Sequence, residues 1–291
     1  MQGYIIGNGF DLSHGMSTKY SDFYKYLKKH DQKNIGGFEY FYDCEQENLW
    51  GNFEDNIGCI NHEHFMAFMG SIYEDGSEEI RGDINAKDVD FEHIICNHKE
   101  LMKSLACWIK SIKMPTQKFV LPENAIYLSF NYTSLLEDIY SINRINILHI
   151  HGEVGKKPLV LGYDNVNIDK VLRDADCGIY TWEFPFEYFG YTLLEEYLKK
   201  FHKDTGRIIE SNIDFFRRFS EIDELFILGL SFSKTDIKYL EFILTQINKN
   251  VKIHVSYFSK SDRMRISWFK RKHNLINLDV DKIERIMQSH S

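Results

Sequence analysis

Residues 3–15, GYIIGNGFDLSHG, set the strongest constraint on how this chain folds. The short apolar run at 4–6 has the pattern of a strand that is covered on both faces, as strands of a parallel sheet are. Gly7 and Gly9 follow at once, and paired glycines let the backbone turn sharply before a helix begins. The sequence therefore predicts a strand, a tight turn and a helix at its start.

Apolar strand patterns recur along the chain, and helical patterns separate them. Strands are predicted at 125–130, 145–150, 225–232 and 251–258, with 158–163 as a further strand or edge element. Helices are predicted at 134–142 and 235–247, and a basic helix follows the last strand. Strands that alternate with helices of this length imply βαβ units. The predicted fold is α/β, with a Rossmann-like parallel sheet.

Two long stretches, at about 20–115 and 166–220, carry apolar residues at helical spacing. We interpret both as large helical insertions into a single domain that spans residues 1–291. In open α/β sheets the ligand lies at the carboxyl ends of the strands, where such insertions can cover it.

The composition narrows the classes of partner. A net charge of -8 argues against a general affinity for nucleic acid, and the basic stretch 259–273 is better explained as an amphipathic helix with a cationic last turn. No apolar run approaches the roughly 20 residues that span a bilayer, and the first strand leaves no room for a signal peptide. The five cysteines include no CxxC pair, so we expect no metal site and no disulfide framework. These features predict a cytoplasmic protein.

The first candidate site is Gly7-Asn8-Gly9. A phosphate at such a turn is held by backbone N–H groups and by the positive end of the following helix. The turn does not match GxGxxG, because Leu12 stands at the third glycine position, and it lacks a Walker lysine. Nucleotide contact and a purely structural turn both remain open, and Asp11 is explained most simply as a helix cap.

Polar residues also follow the next two predicted strands. Asn131 could hydrogen-bond a ribose hydroxyl, an amide or a water, or it could form an Asx turn that starts the next helix. His149 and His151 are two apart, so both are expected on one strand face, but no third ligand at matching spacing supports a metal pair. His151, beside the flexible Gly152, is the better candidate for a general base, and a buried structural histidine is the alternative.

The fourth strand ends in a turn of small residues, 229–233. Gly229 allows close approach of the backbone, and Ser231 could contact an adenosine ribose or phosphate. Asp236 stands in the first turn of the following helix, where the helix dipole explains it.

Taken in order, these segments resemble the phage abortive-infection AbiH family. The segments that carry the resemblance are IIGNGFDLSHGMSTKYSDF (5–23), LWGNFEDNIG (49–58), LSFNYTSLLEDIY (128–140), LHIHGE (148–153), VLGYDN (160–165) and ILGLSFSKTDIKYLEFI (227–243). They are spread over nearly the whole chain, and the opening signature is long enough to be specific.

That family is in turn similar to sirtuin-like NAD-binding domains. The similarity implies NAD as substrate or ligand, held by Gly7, Asn8, Gly9, Gly152, Gly229 and Ser231. Further candidates for contacts with NAD, close to these turns in the sequence, are Phe10, Asp11, His14 and Asp236. It implies His151 and Asn131 as catalytic residues, with Glu54 as a further candidate that lies four residues after Trp50 on one helix face. His14 would add a donor near the phosphates or stabilise local structure.

Two departures from the sirtuin pattern bear on the reaction. Paired zinc cysteines are missing, and Thr133 replaces the acid that often follows the asparagine. The resemblance therefore implies hydrolysis of NAD between nicotinamide and ribose, in antiphage defence, rather than protein deacetylation. The alternative is a non-catalytic nucleotide sensor that docks a partner or toxin.

A toxic NAD-consuming enzyme must be restrained until infection. We therefore expect a phage trigger or a partner defence protein, and regulation by homo-oligomerisation or by the helical insertions. Neither a membrane nor nucleic acid is expected as a partner.

Overall fold

The computed structural model describes residues 1–42, 50–51, 53–58, 60–74, 91–164 and 194–290. The chain divides into two compact units. The first comprises Met1–Lys19, Ala106–Val160 and Asp204–Ser291, and the second comprises Tyr20–Leu105 and Leu161–Lys203.

The first unit is built on a parallel sheet of six strands. The strands are β1 (Gln2–Ile6), β2 (Ile126–Ser129), β3 (Ile147–His149), β4 (Glu224–Leu228), β5 (Lys252–Ser256) and β6 (Leu278–Asp281). Their order is β3-β2-β1-β4-β5-β6, and every neighbouring pair is parallel. This is the order of the doubly wound Rossmann sheet, in which the strand order, and not the strand direction, reverses between β1 and β4. The predicted α/β, Rossmann-like fold is confirmed.

The helices of the two units are numbered together in chain order. They are α1 (Asn8–Ser13), α2 (Tyr20–His30), α3 (Gln32–Phe41), α4 (Phe53–Asn56), α5 (His62–Glu74), α6 (Phe91–Ile94), α7 (His98–Ser111), α8 (Leu135–Asp138), α9 (Thr205–Ser211), α10 (Ile213–Arg217), α11 (Lys234–Gln246), α12 (Lys260–Lys272) and α13 (Ile283–Ser289). Residues 194–199 are helical as well.

Both faces of the sheet are buried. Alternate residues of each strand point to opposite sides, and the residues on each side belong to a separate hydrophobic core. Ile5 belongs to a core that includes α10, α11 and α12, whereas Tyr4 and Ile6 belong to a core that includes α1, α8 and α13. The central strands therefore carry apolar residues on both faces, as the sequence predicts.

The elements depart from the sequence predictions in a few places. β6 was not predicted, since Asp279 and Asp281 interrupt its apolar pattern and its pairing with β5 makes it a strand. The predicted helix at 134–142 is helical only as α8, and Ser141 already has a left-handed φ of 55°. The segment 158–163 is not a strand and holds a single bridge, from Tyr163 to His202.

The second unit is helical in the residues that are described, from α2 to the start of α7. Trp50 stacks on Phe53 at 4.4 Å between ring centroids and on Tyr24 at 4.9 Å, and Phe38 packs edge-on against the same indole. Parts of the two predicted helical insertions, residues 75–90 of the first and 166–193 of the second, lie outside the described residues. In the part of the chain that is described, no helix combines the length and the apolar character needed to cross a membrane.

Candidate functional site

The turns after β1 and β4 are packed directly against each other. The Gly7 amide donates to the Leu228 carbonyl at 2.9 Å, and the Gly9 amide donates to the Gly229 carbonyl at 2.8 Å. A Cβ on Gly7 would lie 2.6 Å from the Gly229 carbonyl oxygen, and one on Gly9 would lie 2.6 Å from the Gly229 Cα. Gly229 has a φ of 69°, in the left-handed region. Glycine is therefore required here for contact between two backbones.

This packing changes what the opening turn can offer to a ligand. Because the Gly7 and Gly9 amides already donate to the β4 side, the expected phosphate cradle cannot be formed by these two N–H groups in this arrangement. The amide of Asn8 donates to no acceptor among the residues that the structure describes. Asn8 is exposed, and its side chain donates to the Thr18 carbonyl at 2.9 Å.

Asp11 connects α1 to the residues that follow β2. Its Oδ1 accepts from Asn131 Nδ2 at 2.8 Å, and its Oδ2 accepts from Thr133 Oγ1 at 2.7 Å. The helix cap position is held by Gly7 without any side-chain hydrogen bond, so Asp11 does not cap α1. Asp11 is only 1% exposed, and its carboxylate orients Asn131 rather than facing solvent.

The environment of Asp11 shifts its protonation. Burial raises the pKa of Asp11 to about 6, and the hydrogen bonds from Thr133 and Asn131, with the nearby His149, only partly oppose that rise. A buried carboxyl of this kind titrates close to neutral pH, which is a common property of functional sites.

The amide of Asn131 is held in one orientation. Its Nδ2 donates both to Asp11 and, at 3.2 Å, to the Gly7 carbonyl. Its Oδ1 is buried and has no hydrogen-bond partner among the described residues. Asn131 therefore presents an acceptor, suited to a hydroxyl group or a water molecule.

His149 and His151 do not share surroundings, contrary to the expectation from their spacing. β3 ends at His149 and the chain turns before His151. His149 Nδ1 donates to the Asn131 carbonyl at 3.1 Å, and its Nε2 lies 3.1 Å from Glu137 Oε1. The imidazole of His149 thus supports the backbone of Asn131.

His151 lies among aromatic rings. Phe130 packs against its imidazole edge-on at 5.2 Å between centroids, with Tyr239 at 6.1 Å and Tyr132 at 6.4 Å. The residue is 3% exposed. The following Gly152 has a φ of 82°, and a Cβ there would collide with the Pro158 carbonyl oxygen. The turn that carries His151 therefore requires glycine at position 152.

Glu137 and Glu153 complete a charged group around His149. Arg144 donates to both oxygens of Glu153, at 2.7 and 2.8 Å, and Lys156 donates to Oε1 of the same carboxylate at 2.7 Å. Glu137, His149 and Glu153 have the donor set of a metal site, and their ligand atoms lie within 4.8 Å of one another. Since Arg144 already neutralises Glu153 with two short hydrogen bonds, this set is better explained as an ion-pair network than as a metal centre.

Phe10 and His14 belong to an aromatic cluster with Phe119 and Tyr140. Phe10 is completely buried, and its ring packs against His14, Phe119 and Tyr140. His14 Nδ1 donates to the Phe10 carbonyl at 2.8 Å, and its Nε2 accepts from the Tyr140 hydroxyl at 2.5 Å. Burial lowers the pKa of His14. These contacts favour the local structural role of His14 over a contact with phosphates.

The turn after β4 is built around Asp236. Its side chain accepts from Ser231 Oγ at 2.9 Å, and it forms a capping box with Ser233 at the start of α11. Ser231 is exposed, and its carbonyl accepts from Arg265 at 2.9 Å. Ser231 is accessible to a ligand, whereas Asp236 stabilises the helix start.

Glu54 belongs to the second unit, where it lies on α4. Its carboxylate accepts from the Tyr20 hydroxyl and, at 3.0 Å, from Lys203 Nζ. The Lys203 side chain is fully buried and the Glu54 side chain is 23% exposed, so this ion pair is only partly shielded from water. Sequence reasoning missed Lys203, because a single lysine carries no local signal of burial.

Other contributors were also missed. Glu137, Arg144 and Glu153 come from three separate segments around β3, and no spacing rule connects them. Thr133 was noticed only as a departure from an expected acid, although its hydroxyl binds Asp11. The acid that shares a site with Asn131 is supplied by Asp11, far away in the sequence.

The strand order and the polar groups at the carboxyl ends of β1, β2, β3 and β4 define a Rossmann-like α/β protein with its candidate site at that edge. The chain belongs to the bacteriophage abortive infection AbiH family, whose family model matches residues 4–257. Membership of this family supports a role in abortive-infection defence against phage. No curated protein and no solved structure matched the chain.

Proposed function

We propose that this protein binds NAD at the carboxyl edge of its sheet and hydrolyses the bond between nicotinamide and ribose as part of phage defence. The observation that carries the proposal is the reversal of strand order between β1 and β4, which is where Rossmann sheets bind dinucleotides. Gly7 and Gly229 stand at that reversal, and Asn131 and His151 follow the adjacent strands. The likeness of the family to sirtuin-like domains supports the same ligand.

The contacts within the site indicate how NAD would be held. The Asn8 amide is the donor at the two glycine turns that best fits a phosphate oxygen. Ser231 Oγ donates its proton to Asp236, so it would accept from a ribose hydroxyl. Asn131 Oδ1 is a buried acceptor without a partner among the described residues, and it suits a ribose hydroxyl or the attacking water. Asp11 would act as a positioning residue, because it fixes the amide of Asn131.

The reaction needs little acid catalysis. Water adds to the anomeric carbon of the ribose while the bond to the nicotinamide nitrogen breaks, and nicotinamide leaves as a neutral molecule from a cationic ring. His151 would take the proton of the attacking water, a role typically worth about 10²–10⁴ in rate. Oriented acceptors would stabilise the positive charge that develops on the ribose. Glu54 has no role in this proposal, because its carboxylate is held by Tyr20 and Lys203 within the second unit.

The test is release of nicotinamide from NAD by the purified full chain, with and without phage components. We expect His151→Asn to lower kcat by about 10²–10⁴. Asn131→Ala should also lose activity, while the matched controls at exposed positions, His30→Ala and Asn248→Ala, should not. Equal rates in all five proteins would overturn the assigned roles. The absence of release under every phage-triggered condition would overturn the reaction.

A second function, a nucleotide sensor without turnover, is favoured by a different observation. His151 is only 3% exposed and is surrounded by three aromatic rings. The Gly7 and Gly9 amides donate to the Leu228 and Gly229 carbonyls and not to a ligand. Such a site could bind a nucleotide and pass the signal to a partner or toxin. NAD-dependent thermal stabilisation with no nicotinamide release would support the sensor over the hydrolase.

A further inference from the structure

A second group of candidate ligands lies in the first unit, towards the amino ends of β4 and β5. Glu224 begins β4, His254 lies in β5, and His290 follows the last turn of α13. One ligand atom from each of these side chains lies within 4.8 Å of the other two. This group is separate from the carboxyl edge of the sheet and has no role in the function proposed above.

The sheet fixes the ring of His254. Phe226 is its register partner on β4, and the two rings stack with centroids 4.8 Å apart. Phe226 stacks in turn on Tyr4, which stacks on Tyr127, so an aromatic ladder crosses the sheet and ends at His254. His290 packs across the end of this ladder, with its ring centroid 4.5 Å from that of His254.

Neighbouring groups orient the other two side chains. His290 Nδ1 donates to the Ile286 carbonyl at 2.9 Å, which leaves the lone pair of the neutral ring on Nε2. Glu224 Oε2 accepts from Gln2 Nε2 at 3.0 Å, so that the free oxygen, Oε1, is the one nearest His254. Outer hydrogen bonds that fix the tautomer and the carboxylate in this way are typical of metal ligands.

His254 presents an unsatisfied nitrogen to this group. The residue is 9% exposed, and its Nε2 is buried without a hydrogen-bond partner among the described residues. Glu224 Oε1 lies 3.9 Å away, too far for a hydrogen bond. Ligand atoms about 2.0–2.1 Å from a tetrahedral Zn²⁺ lie roughly 3.3 Å apart, so these two atoms would move closer by about 0.6 Å to share an ion.

We propose that Glu224, His254 and His290 form a binding site for a divalent transition-metal ion of the zinc class. Two imidazoles and one carboxylate are a ligand set of zinc sites that keep a fourth position for water or a small anion. Glu224 also lines an open surface pocket of about 300 Å³, together with Gln2, Asp223 and Lys252. Asp279 adds negative charge near His254, while Lys252 opposes it.

The experiment uses the full chain without a histidine tag, stripped with a chelator and titrated with Zn²⁺ and with Co²⁺. We expect one tight site per chain and the visible absorption of four-coordinate Co²⁺. His290→Ala and Glu224→Gln should weaken Zn²⁺ binding by more than the 10–100-fold that loss of an outer-shell partner costs. His30→Ala is the control for binding to an exposed surface histidine and should bind as the wild type does.

Each result decides the proposal. His290 is exposed, so His290→Ala keeps the fold even where substitution of buried His254 does not, and circular dichroism verifies this. Unchanged Zn²⁺ affinity in His290→Ala and Glu224→Gln would place any bound ion elsewhere and overturn the site. Absence of a Co²⁺ or Zn²⁺ complex in the wild type would overturn it as well. NAD turnover is not used as a readout, so failure of this site is distinguishable from failure of the NAD proposal.

Discussion

Asp11 is buried at the base of the candidate site with two protein donors on its carboxylate, yet its pKa is raised to about 6. Burial disfavours the charged form more than the hydrogen bonds of Asn131 and Thr133 favour it. The consequence is that ionised Asp11 orients Asn131 at some expense to the stability of the fold. Such a conflict is expected where a side chain serves a site rather than the core.

The pH dependence of unfolding tests this conflict. The pKa of Asp11 is higher in the folded chain, about 6, than its ordinary 3.8, so the stability gained from proton binding is present below pH 3.8 and is lost as the pH rises to about 6. The wild type should therefore lose stability relative to Asp11→Asn across this window, by on the order of 3 kcal/mol. Urea unfolding at several pH values measures the difference.

The control for this prediction is Asp214→Asn, at a side chain that is 90% exposed. Its stability should differ from that of the wild type by a small, pH-independent amount. A constant difference between wild type and Asp11→Asn from pH 3.8 to pH 6 would contradict the raised pKa.

At Glu153, unlike at Asp11, hydrogen bonds to the carboxylate outweigh the effect of burial on the pKa. Burial alone would raise its pKa, but hydrogen bonds from Lys156 and Arg144 outweigh burial and hold the pKa below the ordinary 4.5. Its stabilising effect is therefore present above pH 4.5 and is lost as the pH falls below that value. Glu153→Gln should lower the free energy of unfolding by about 1–3 kcal/mol at pH 7, with a smaller loss at pH 3. Glu100→Gln, in an exposed pair with Lys103, is the control and should change little.

The turns after β1 and β4 form one packed unit, although they are far apart in the sequence. Gly229→Ala should test it, since a Cβ there would collide with the Phe10 amide and lie 2.6 Å from the Gly9 Cα. The left-handed φ costs about 1–2 kcal/mol for alanine, and the collision adds about 1–3 kcal/mol. The measurement is chemical denaturation.

Gly15→Ala separates the two causes. Gly15 also has a positive φ, 78°, but a Cβ there meets nothing within 4 Å. It should show only the backbone cost, about 1–2 kcal/mol. Equal losses of stability in Gly229→Ala and Gly15→Ala would show that the added methyl group at 229 causes no steric destabilisation, and would contradict the close packing of the β1 and β4 turns.

The difference between these two glycines also shows what sequence can predict. The strand and turn at 3–15 were predictable, because apolar runs and paired glycines are local signals. The partner of the turn was not, since the Leu228 and Gly229 carbonyls come from the other half of the sheet. Asp11 was likewise explained as a cap, because its true partners, Asn131 and Thr133, follow a different strand. β6 was missed because pairing with β5, rather than an apolar pattern, defines it.

The whole chain should respond to its ligand through the sheet. The proposed nucleotide at the β1–β4 reversal would contact turns from both halves of the doubly wound sheet, so its binding energy would add to the stability of the first unit. At a free NAD concentration 100 times the Kd, the gain is about 2.7 kcal/mol, which corresponds to an increase in Tm of roughly 5 °C or more.

Scanning fluorimetry with NAD, ADP and nicotinamide tests this response. NAD should raise Tm more than either fragment at equal concentration, because only NAD combines phosphates for the glycine turns with the nicotinamide ribose for Asn131. Asn131→Ala should lose most of the shift, and Asn248→Ala, at an exposed position, should keep it. If ADP alone gives the full shift, the site accepts a mononucleotide and nicotinamide release from NAD has no structural basis there. If none of the three ligands raises Tm up to millimolar concentration, the carboxyl edge of the sheet is not a nucleotide site.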